Sequence, residues 1–389
     1  MPGDPPSDLP GDALGLYLHF PWCVRKCPYC DFNSHALRGE VPEADYVAAL
    51  LRDLDADLES LGDRVRPASS AFLGGGTPSL FSGAAIGQVL DGVRQRLGFT
   101  DEAEITLEAN PGTVDEAHFA GYRAAGVNRL SIGVQSFNPA HLQSLGRIHS
   151  RDDALRAMRV ARGAGFENVN LDLMFGLPGQ SADQALADLA QAIDLAPTHL
   201  SVYQLTLEPN TEFAARPPTL PDDDRIADMQ AALQARLADA GYAQYEVSAY
   251  ARPGRRSRHN LTYWTFGDYL GIGAGAHGKW TRDGQPRRRA KHKHPKTYLA
   301  TAGSAACWQE DQAVATADLP FEFAMNALRL VDGFTPAQFE SATGLPVSAL
   351  DVPLGAARRQ GLLDDDASGR LRASALGYRH LNRLTGLFL

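Results

Sequence analysis

The feature that most constrains the fold is an alternation of short β-rich runs with longer amphipathic runs along the first half of the chain. Six runs have the composition typical of strands: 14–20, 70–74, 104–109, 129–134, 168–174 and 199–205. Helical patterns separate them, for example at 44–61, 84–97, 151–164 and 182–195. Strands that alternate with helices form parallel sheets with right-handed crossovers, so the sequence predicts an α/β protein of six β-α units.

The rest of the chain departs from this rhythm. We predict a partial (β/α)6 barrel over residues 14–250, preceded by a disordered lead at 1–13. Residues 251–314 are rich in Gly and Arg, which predicts a loop-rich extension. Three helical patterns and a hairpin at 315–389 predict a C-terminal helical module that resembles a winged helix.

Composition narrows the classes of protein that fit this chain. Of its 389 residues, 44% are hydrophobic and 21% are charged, which is typical of a globular protein with a sizeable core. The net charge of -9 argues against a general nucleic-acid binder, which needs a basic surface. No apolar run approaches the length of a membrane span, and the N-terminus lacks the basic and apolar segments of a secretory signal, so we expect neither feature.

Three of the four cysteines, Cys23, Cys27 and Cys30, lie within eight positions directly after the first predicted strand. Such clustering favours metal ligation in a reducing cytoplasm over disulfide formation. Thiolates are soft ligands that suit iron–sulfur clusters and zinc. Three thiolates hold three corners of a [4Fe-4S] cubane and leave one iron open, whereas zinc would need a fourth ligand from His19 or His35. We favour the cluster with an open iron.

Polar motifs follow the next strands in succession. The second strand ends in Gly74-Gly75-Gly76-Thr77-Pro78, and the next three end in Glu108, Gln135 and Asp172. Taken singly, the glycine motif predicts only a tight turn, and each acidic residue predicts a helix cap or a surface charge. Their joint position predicts one polar site, because the ends of parallel strands meet at one edge of the sheet.

The cysteine spacing and the strand-end motifs resemble the radical SAM superfamily, and their order is similar to its coproporphyrinogen III dehydrogenase-like branch. Two segments resemble the HemW heme chaperone family within that branch: CPYCDFNSH at 27–35 and HNLTYW at 259–264. The resemblance implies a radical-SAM-type barrel in which S-adenosylmethionine (SAM) binds the open iron and is cleaved reductively to a radical. It implies SAM contacts from Tyr17, Gly75, Gly76, Thr77, Glu108, Gln135, Arg147 and Asp172.

The resemblance also assigns roles within this set. The glycines let the backbone approach the methionine moiety of SAM without interference from a Cβ atom. Arg147 is expected to bind the SAM carboxylate and Asp172 the ribose hydroxyls, while Glu108 accepts hydrogen bonds from the amino group or the ribose.

Two features separate the chain from the decarboxylating enzymes of this branch. Those enzymes usually carry a fourth cysteine two residues after the third, where this chain has Phe32, and a long N-terminal extension, where it has about 13 residues. The HNxxYW motif contains His259 and Tyr263, and both residue types serve as heme-iron ligands. The alternative is that His259 only orders its loop and Tyr263 packs in the core. Basic runs at 252–258 and 279–296 indicate solvated surface or, alternatively, binding of propionates or of a partner.

We therefore predict a heme chaperone that binds heme and transfers it to acceptor proteins, with a heme donor as a further partner. Its cofactors are expected to be a [4Fe-4S] cluster, SAM and heme. One alternative is an oxygen-independent coproporphyrinogen III oxidase that uses radical SAM chemistry. The other is a nucleic-acid-associated protein that uses the winged-helix-like tail, and it is disfavoured by the net charge. The sequence leaves the oligomeric state open.

Overall fold

The structure, a computed structural model, describes residues 14–365 and 369–389. The predicted disordered lead at 1–13 and part of the predicted C-terminal hairpin lie outside these ranges. Among the described residues, no helix combines the length and the apolar character that crossing a membrane requires.

Six parallel strands form the centre of the fold, each beside its neighbour in sequence. They are β1 (Leu14–Phe20), β2 (Ala68–Gly75), β3 (Phe99–Ala109), β4 (Arg129–Gln135), β5 (Asn168–Phe175) and β6 (His199–Gln204). The predicted α/β fold with six β-α units is confirmed. The largest difference in bounds is at β3, which begins five residues before its predicted start at 104.

Six further strands extend the sheet to twelve. They are β7 (Ala243–Glu246), β8 (Ala249–Ala251), β9 (Asp268–Ile272), β10 (His277–Arg282), β11 (Gln285–Lys291) and β12 (Trp308–Ala313). The order is β12-β11-β10-β9-β1-β2-β3-β4-β5-β6-β8-β7. Strand β9 pairs with the free edge of β1 in parallel, so the sheet stays open and the barrel is partial. The stretch expected to be rich in loops therefore contains four strands of the main sheet.

The helices of the first half cover the sheet with apolar faces. They are Glu43–Leu61, Gly83–Arg96, Glu116–Ala125, Pro139–Ser144, Arg151–Gly163, Ala182–Asp194, Glu212–Ala215 and Asp223–Asp239. Two of them begin at a capping box, in which Ser150 or Ser181 accepts from the backbone three residues on. Buried side chains such as Leu50, Leu90 and Leu189 pack these helices against the strands in one large core.

The C-terminal module has a core of its own. Its helices are Leu319–Ala327, Pro336–Thr343, Asp351–Arg359, Ala375–Arg379 and Leu381–Thr385, and its hairpin pairs Leu363–Asp365 with Leu371–Ala373. Phe323, Phe334 and Phe339 form edge-to-face pairs at its centre. Phe266, from the preceding segment, packs on Phe323 with ring centroids 5.7 Å apart and joins the module to the barrel.

A buried ionic network fixes β11 to the helix Glu43–Leu61. Lys291 binds both Asp53 and Asp57, and its Nζ lies 2.8 Å from Asp57 Oδ1. Arg289 Nη1 lies 2.6 Å from the same Asp57 oxygen. All four side chains are at most 4% exposed. Asp53 also accepts from the hydroxyl of Tyr298 at 2.9 Å, so both acidic groups have several donors.

Candidate functional site

The carboxyl ends of the six central strands open into a polar and aromatic cleft of about 400 Å³. Its walls combine the loop after β1 with the strand ends and loops that follow β2 to β6. The predicted site residues that line it are Cys23, Cys27, Cys30, Gly75, Gly76, Thr77, Glu108, Gln135, Arg147 and Asp172. The fold therefore brings together the cysteines and nearly all of the residues expected to bind SAM.

Cys23, Cys27 and Cys30 are half-buried in the loop that follows β1. Burial raises the pKa of the Cys23 and Cys30 thiols, while neighbouring donors oppose that effect. Each sulfur has a polar neighbour: Thr77 Oγ1 lies 3.4 Å from Cys23 Sγ, Arg147 Nη1 lies 3.7 Å from Cys27 Sγ, and Ser34 Oγ lies 3.8 Å from Cys30 Sγ. Hydroxyl and guanidinium donors of this kind stabilise thiolates, which are the ligating form of cysteine.

The geometry around the cysteines suits a cluster better than a single zinc ion. In residues 14–365 and 369–389, no group of three or more His, Cys, Asp or Glu side chains converges on one point as a single ion requires. A cubane binds each thiolate through a different iron and does not need such convergence. Both ring nitrogens of His19 are engaged, with Tyr17 OH at 2.9 Å and Asn33 O at 2.8 Å. His35 Nε2 lies 3.2 Å from Asn33 Oδ1, and the His35 ring also bonds the backbone of Lys293, so both histidines are already engaged.

Gly75 and Gly76 allow β2 to end directly against the cysteine loop. Gly75 has a φ of +111°, and a Cβ there would lie 2.4 Å from the His19 ring. A Cβ on Gly76 would lie 2.6 Å from the carbonyl oxygen of Trp22. The next residue, Thr77, donates its N–H to that same carbonyl at 2.7 Å. A glycine is therefore required at both positions for the close approach of the two segments, apart from any contact with a ligand.

Glu108 and Asp172 form an acidic pair inside the cleft. Glu108 Oε2 accepts from the N–H of Gly75 at 3.0 Å. Burial, together with the charge of Asp172, raises the pKa of Glu108 to about 7. Burial also raises the pKa of Asp172, against the effect of its hydrogen-bond donors. The two carboxyl groups are therefore placed to bind a ligand that supplies hydrogen-bond donors or positive charge.

Arg147 and Gln135 lie at the end of β4, between the strands that carry Glu108 and Asp172. Arg147 Nη2 donates to the carbonyl of Gly133 at 2.7 Å, while its buried Nε has no partner. Gln135 occupies the left-handed region, with a φ of 70°. This backbone conformation is uncommon for a residue with a side chain and often occurs at functional sites. Arg147 is close to both Cys27 and the cleft, so it is placed to bind an anionic ligand beside the cysteines.

Tyr17 is placed differently from the other predicted SAM residues. It lies in the middle of β1 and is not among the residues that line the cleft. Its hydroxyl binds His19, and its ring lies near Phe72 and His259 at centroid distances of 6.4 and 6.0 Å.

Four residues that line the cleft were not predicted as site residues from the sequence: Ser131, Met174, Tyr203 and Gln204. A signal was available, because side chains on one face of a strand recur every second residue. Ser131 precedes Gly133 and Gln135 in this pattern, and Met174 follows Asp172.

The helix that carries His259 and Tyr263 lies at the other end of the strands. Their helix, Arg258–Trp264, packs beside the start of β1, where a Cβ on Gly15 would lie 3.2 Å from Thr262. The His259 ring reaches the middle of β1, where it lies 6.0 Å from the ring of Tyr17.

The ring of His259 is enclosed by aromatic groups. It stacks on Phe72 at a centroid distance of 4.6 Å and meets the ring of Tyr263 at 4.4 Å. Burial and, second, the charge of Arg129 lower the pKa of His259 to about 3, so the imidazole is neutral. Its Nδ1 is buried without a hydrogen-bond partner. Tyr263 also lines a smaller pocket of about 170 Å³, together with Trp264, Phe266, Tyr269, Lys279, Arg288 and Asn326.

Most cations of the two basic runs are paired with carboxylates. The pairs include Arg256 with Asp332 at 2.8 Å, Arg258 with Glu102 at 3.0 Å, Lys279 with Asp268 at 3.0 Å and Arg287 with Asp311 at 3.1 Å. Arg289 and Lys291 belong to the buried network. These charges hold segments of the chain together, which explains the basic runs without a ligand.

Two family models match the chain. The model of the Radical SAM superfamily matches residues 17–192, which contain the cysteine loop and the strand-end motifs. The model of the HemN C-terminal domain matches residues 314–380.

Curated relatives match almost the whole chain. A heme chaperone HemW from Escherichia coli is 51% identical over 377 residues, which are 97% of this chain and 98% of that protein. A heme chaperone HemW from Haemophilus influenzae is 49% identical over 379 residues, again 97% and 98%. The solved structure of coproporphyrinogen III oxidase (HemN) from Escherichia coli gives a TM-score of 0.81 at 23% identity and covers 97% of this chain and 90% of that chain. At that identity the likeness shows the fold alone.

Proposed function

Because the chain belongs to the HemW heme chaperone family, within the radical SAM superfamily, we propose that it binds heme and transfers it to acceptor proteins. The observation that carries this proposal is the match to curated heme chaperones along nearly the full length of the chain. The free cysteines and the proposed cluster favour a reducing compartment, so we propose that the protein is cytoplasmic. Its proposed partners are heme, the acceptors and a heme donor.

We also propose that Cys23, Cys27 and Cys30 hold a [4Fe-4S] cluster with one open iron, and that SAM occupies the cleft above it. Support comes from the three half-buried sulfurs with their polar neighbours and from the unpartnered Nε of Arg147. When bound, the cluster and SAM supply one-electron chemistry that side chains cannot perform. The chain itself supplies hydrogen bonds to the sulfurs and a cleft that encloses the cofactor.

The acidic pair gives a test of the SAM site. Glu108→Ala and Asp172→Ala each remove one or two hydrogen bonds, so we expect SAM affinity to fall by ~5- to 150-fold, equivalent to ~1–3 kcal/mol. Iron content should not change. The measurement is the response of the electron paramagnetic resonance (EPR) signal of the reduced cluster to added SAM.

The ionisation of Glu108 gives a second test of the SAM site. Since the pKa of Glu108 is raised to about 7, its ionised fraction rises between about pH 6 and about pH 8. An ionised carboxylate is the stronger acceptor, so SAM affinity should increase over that window, and Glu108→Gln should flatten the increase. SAM affinity that is unchanged in both alanine variants would show that the cofactor is misplaced.

We propose that heme binds at the helix Arg258–Trp264. His259 is neutral and has an unpartnered Nδ1, and a neutral imidazole is the form that ligates iron. Tyr263 reaches a pocket that opens between the barrel and the C-terminal module. His259 is the first candidate for the iron ligand and Tyr263 the second. Because His259 is only 3% exposed, its use as a ligand requires the helix to shift.

Hemin titration tests the function and the ligand together. The wild-type chain is expected to bind hemin and to show a Soret band. His259→Ala should change the position of that band as well as weaken binding, because an axial bond to iron is a coordination bond and not a single hydrogen bond. Tyr263→Phe, which removes only the hydroxyl, tests the second candidate in the same way.

His294→Ala is the matched control, since His294 is an exposed histidine on another segment. Its Soret band should equal that of the wild type. An unaltered band in both motif variants, with reduced stability, would assign the helix a structural role. Absence of hemin binding by the wild type, or formation of a decarboxylated product from coproporphyrinogen III with SAM and a reductant, would contradict the proposed function.

A further inference from the structure

A continuous chain of hydrogen bonds crosses the sheet interior between the helix Arg258–Trp264 and the carboxylate of Asp172. Its members lie on the strands β4, β5, β6 and β7, and none of them has a role in the proposed function. They are Ser131, Asn170, His199 and Tyr245, all at most 6% exposed.

The carboxylate of Asp172 fixes the orientation of the Asn170 amide. Asn170 Nδ2 lies 2.8 Å from Asp172 Oδ1 and 2.8 Å from Ser131 Oγ, so the amide donates one hydrogen to each. Ser131 Oγ then donates to Asp172 Oδ2 at 3.1 Å. An ionised carboxylate only accepts, so the amide oxygen of Asn170 faces away from it, toward His199.

The position of that oxygen fixes the tautomer of His199. Asn170 Oδ1 lies 2.6 Å from His199 Nδ1 and also accepts from Ser201 Oγ at 3.0 Å. The proton of His199 is therefore on Nδ1. Burial lowers the pKa of His199 well below its usual value, so the ring is neutral and its Nε2 is an acceptor. The hydroxyl of Tyr245, 2.9 Å away, donates to it.

The hydroxyl of Tyr245 connects the chain to the helix. Having donated its only hydrogen to His199, the Tyr245 oxygen accepts from the N–H of Ser257 and from Asn260 Nδ2, both at 3.3 Å. Ser257 is the N-cap of the helix, and Asn260 is the second residue of the HNxxYW motif. Every bond in the chain thus points its hydrogen from the helix toward Asp172, and bonds aligned in this way strengthen one another.

We propose that His199 and Tyr245 are positioning residues that couple the HNxxYW helix to the SAM site. They hold the Asp172 carboxylate in its binding orientation and transmit a displacement of the helix to it. This inference rests on the proposed SAM site and on the proposed heme site. Because coupling between two binding sites is reciprocal, heme at the helix and SAM in the cleft change each other's affinity by the same factor.

A pair of Tyr→Phe variants tests the positioning role. Tyr245→Phe removes the central hydroxyl of the chain. Tyr242→Phe is the control. Tyr242 is also buried, but its hydroxyl donates to the carbonyl of Pro197 at 2.7 Å and does not belong to the chain of hydrogen bonds. In the cluster-loaded protein, we expect SAM affinity to fall about 3- to 10-fold in Tyr245→Phe only. Iron content and the thermal unfolding midpoint should match between the two variants.

A second variant keeps the positioning role testable if the first one misfolds. If Tyr245→Phe does not fold, Asn260→Ala removes one of the two bonds that join the helix to Tyr245 without changing the sheet, and a smaller loss of SAM affinity in the same direction is expected. The coupling itself is measured as the ratio of SAM affinities with and without hemin. That ratio should differ from one in the wild type and move toward one in Tyr245→Phe.

Comparison with Asp172→Ala separates the possible failures. Unchanged SAM affinity in Asp172→Ala would remove Asp172 from the SAM site and overturn the inference, and unchanged affinity in Glu108→Ala as well would overturn the proposed SAM site. Weaker SAM binding in Asp172→Ala, with Tyr245→Phe and Asn260→Ala both behaving like Tyr242→Phe, would overturn the positioning role and leave the proposed function intact. An affinity ratio of one in a wild-type chain that binds both ligands would overturn the coupling.

Discussion

Cys23→Ala, Cys27→Ala and Cys30→Ala are each expected to abolish the cluster, whereas Cys307→Ala is expected to retain it. A cubane held by three thiolates loses a third of its protein ligands in each variant. His19 is committed to Tyr17 and Asn33, as described above.

Cys307 is the internal control for this prediction. It is fully buried beside Tyr298 and Asp53, and burial raises the pKa of its thiol to about 12, so it is protonated and unsuited to ligation. Anaerobic reconstitution followed by iron and sulfide analysis should give about four of each per chain for the wild type and for Cys307→Ala. Cluster loss in Cys307→Ala alone would contradict the assignment of the open iron.

The parts of the fold with a regular pattern could be predicted from the sequence. The six central strands are short, strongly apolar and separated by amphipathic helices, so their existence and order were predictable although their bounds were less so. The motif residues from Cys23 to Asp172 also meet in one cleft, because the ends of parallel strands lie at one edge of a sheet.

The extension could not be predicted in the same way, because its charges pair across distant elements. Arg289 and Lys291 belong to the strand β11, yet in the sequence they resemble an exposed basic run. Their partners, Asp53 and Asp57, lie more than 200 residues earlier, on a helix. A local pattern contains no information about such partners, so buried and solvated charges have the same sequence signature.

The chain of hydrogen bonds that ends at Asp172 could not be predicted for a related reason. Asn170, His199 and Tyr245 come from three strands, and none of them belongs to a short motif. Only the register of β5 against β6, in which Asn170 lies opposite His199, makes their contact visible. Similarly, the motif predicted a role in heme binding for His259, but not its enclosure between Phe72 and Tyr263.

Lys291→Met is expected to destabilise the protein by ~3–5 kcal/mol, because it leaves two buried carboxylates short of positive charge. Lys291 is 1% exposed, and its ammonium group contacts both Asp53 and Asp57. Methionine has a similar length and fills the space, so the loss is one of charge and hydrogen bonds. Lys293→Met is the control, since Lys293 is exposed two residues further on, and it should change stability by less than about 0.5 kcal/mol.

The same variant should also loosen the cysteine loop. Asp53 Oδ2 accepts from the N–H of Gly273 at 3.0 Å, and the next residue, Ala274, accepts from Asn33 Nδ2 in the cysteine loop at 2.8 Å. Weakening the network therefore weakens the support of that loop. In urea unfolding and in the rate at which a chelator removes iron, Lys291→Met should differ from both the wild type and Lys293→Met. Unfolding curves that coincide for the two variants would show that Arg289 alone neutralises the carboxylates, and an unchanged rate of iron loss would show that the loop is held independently of Asp53.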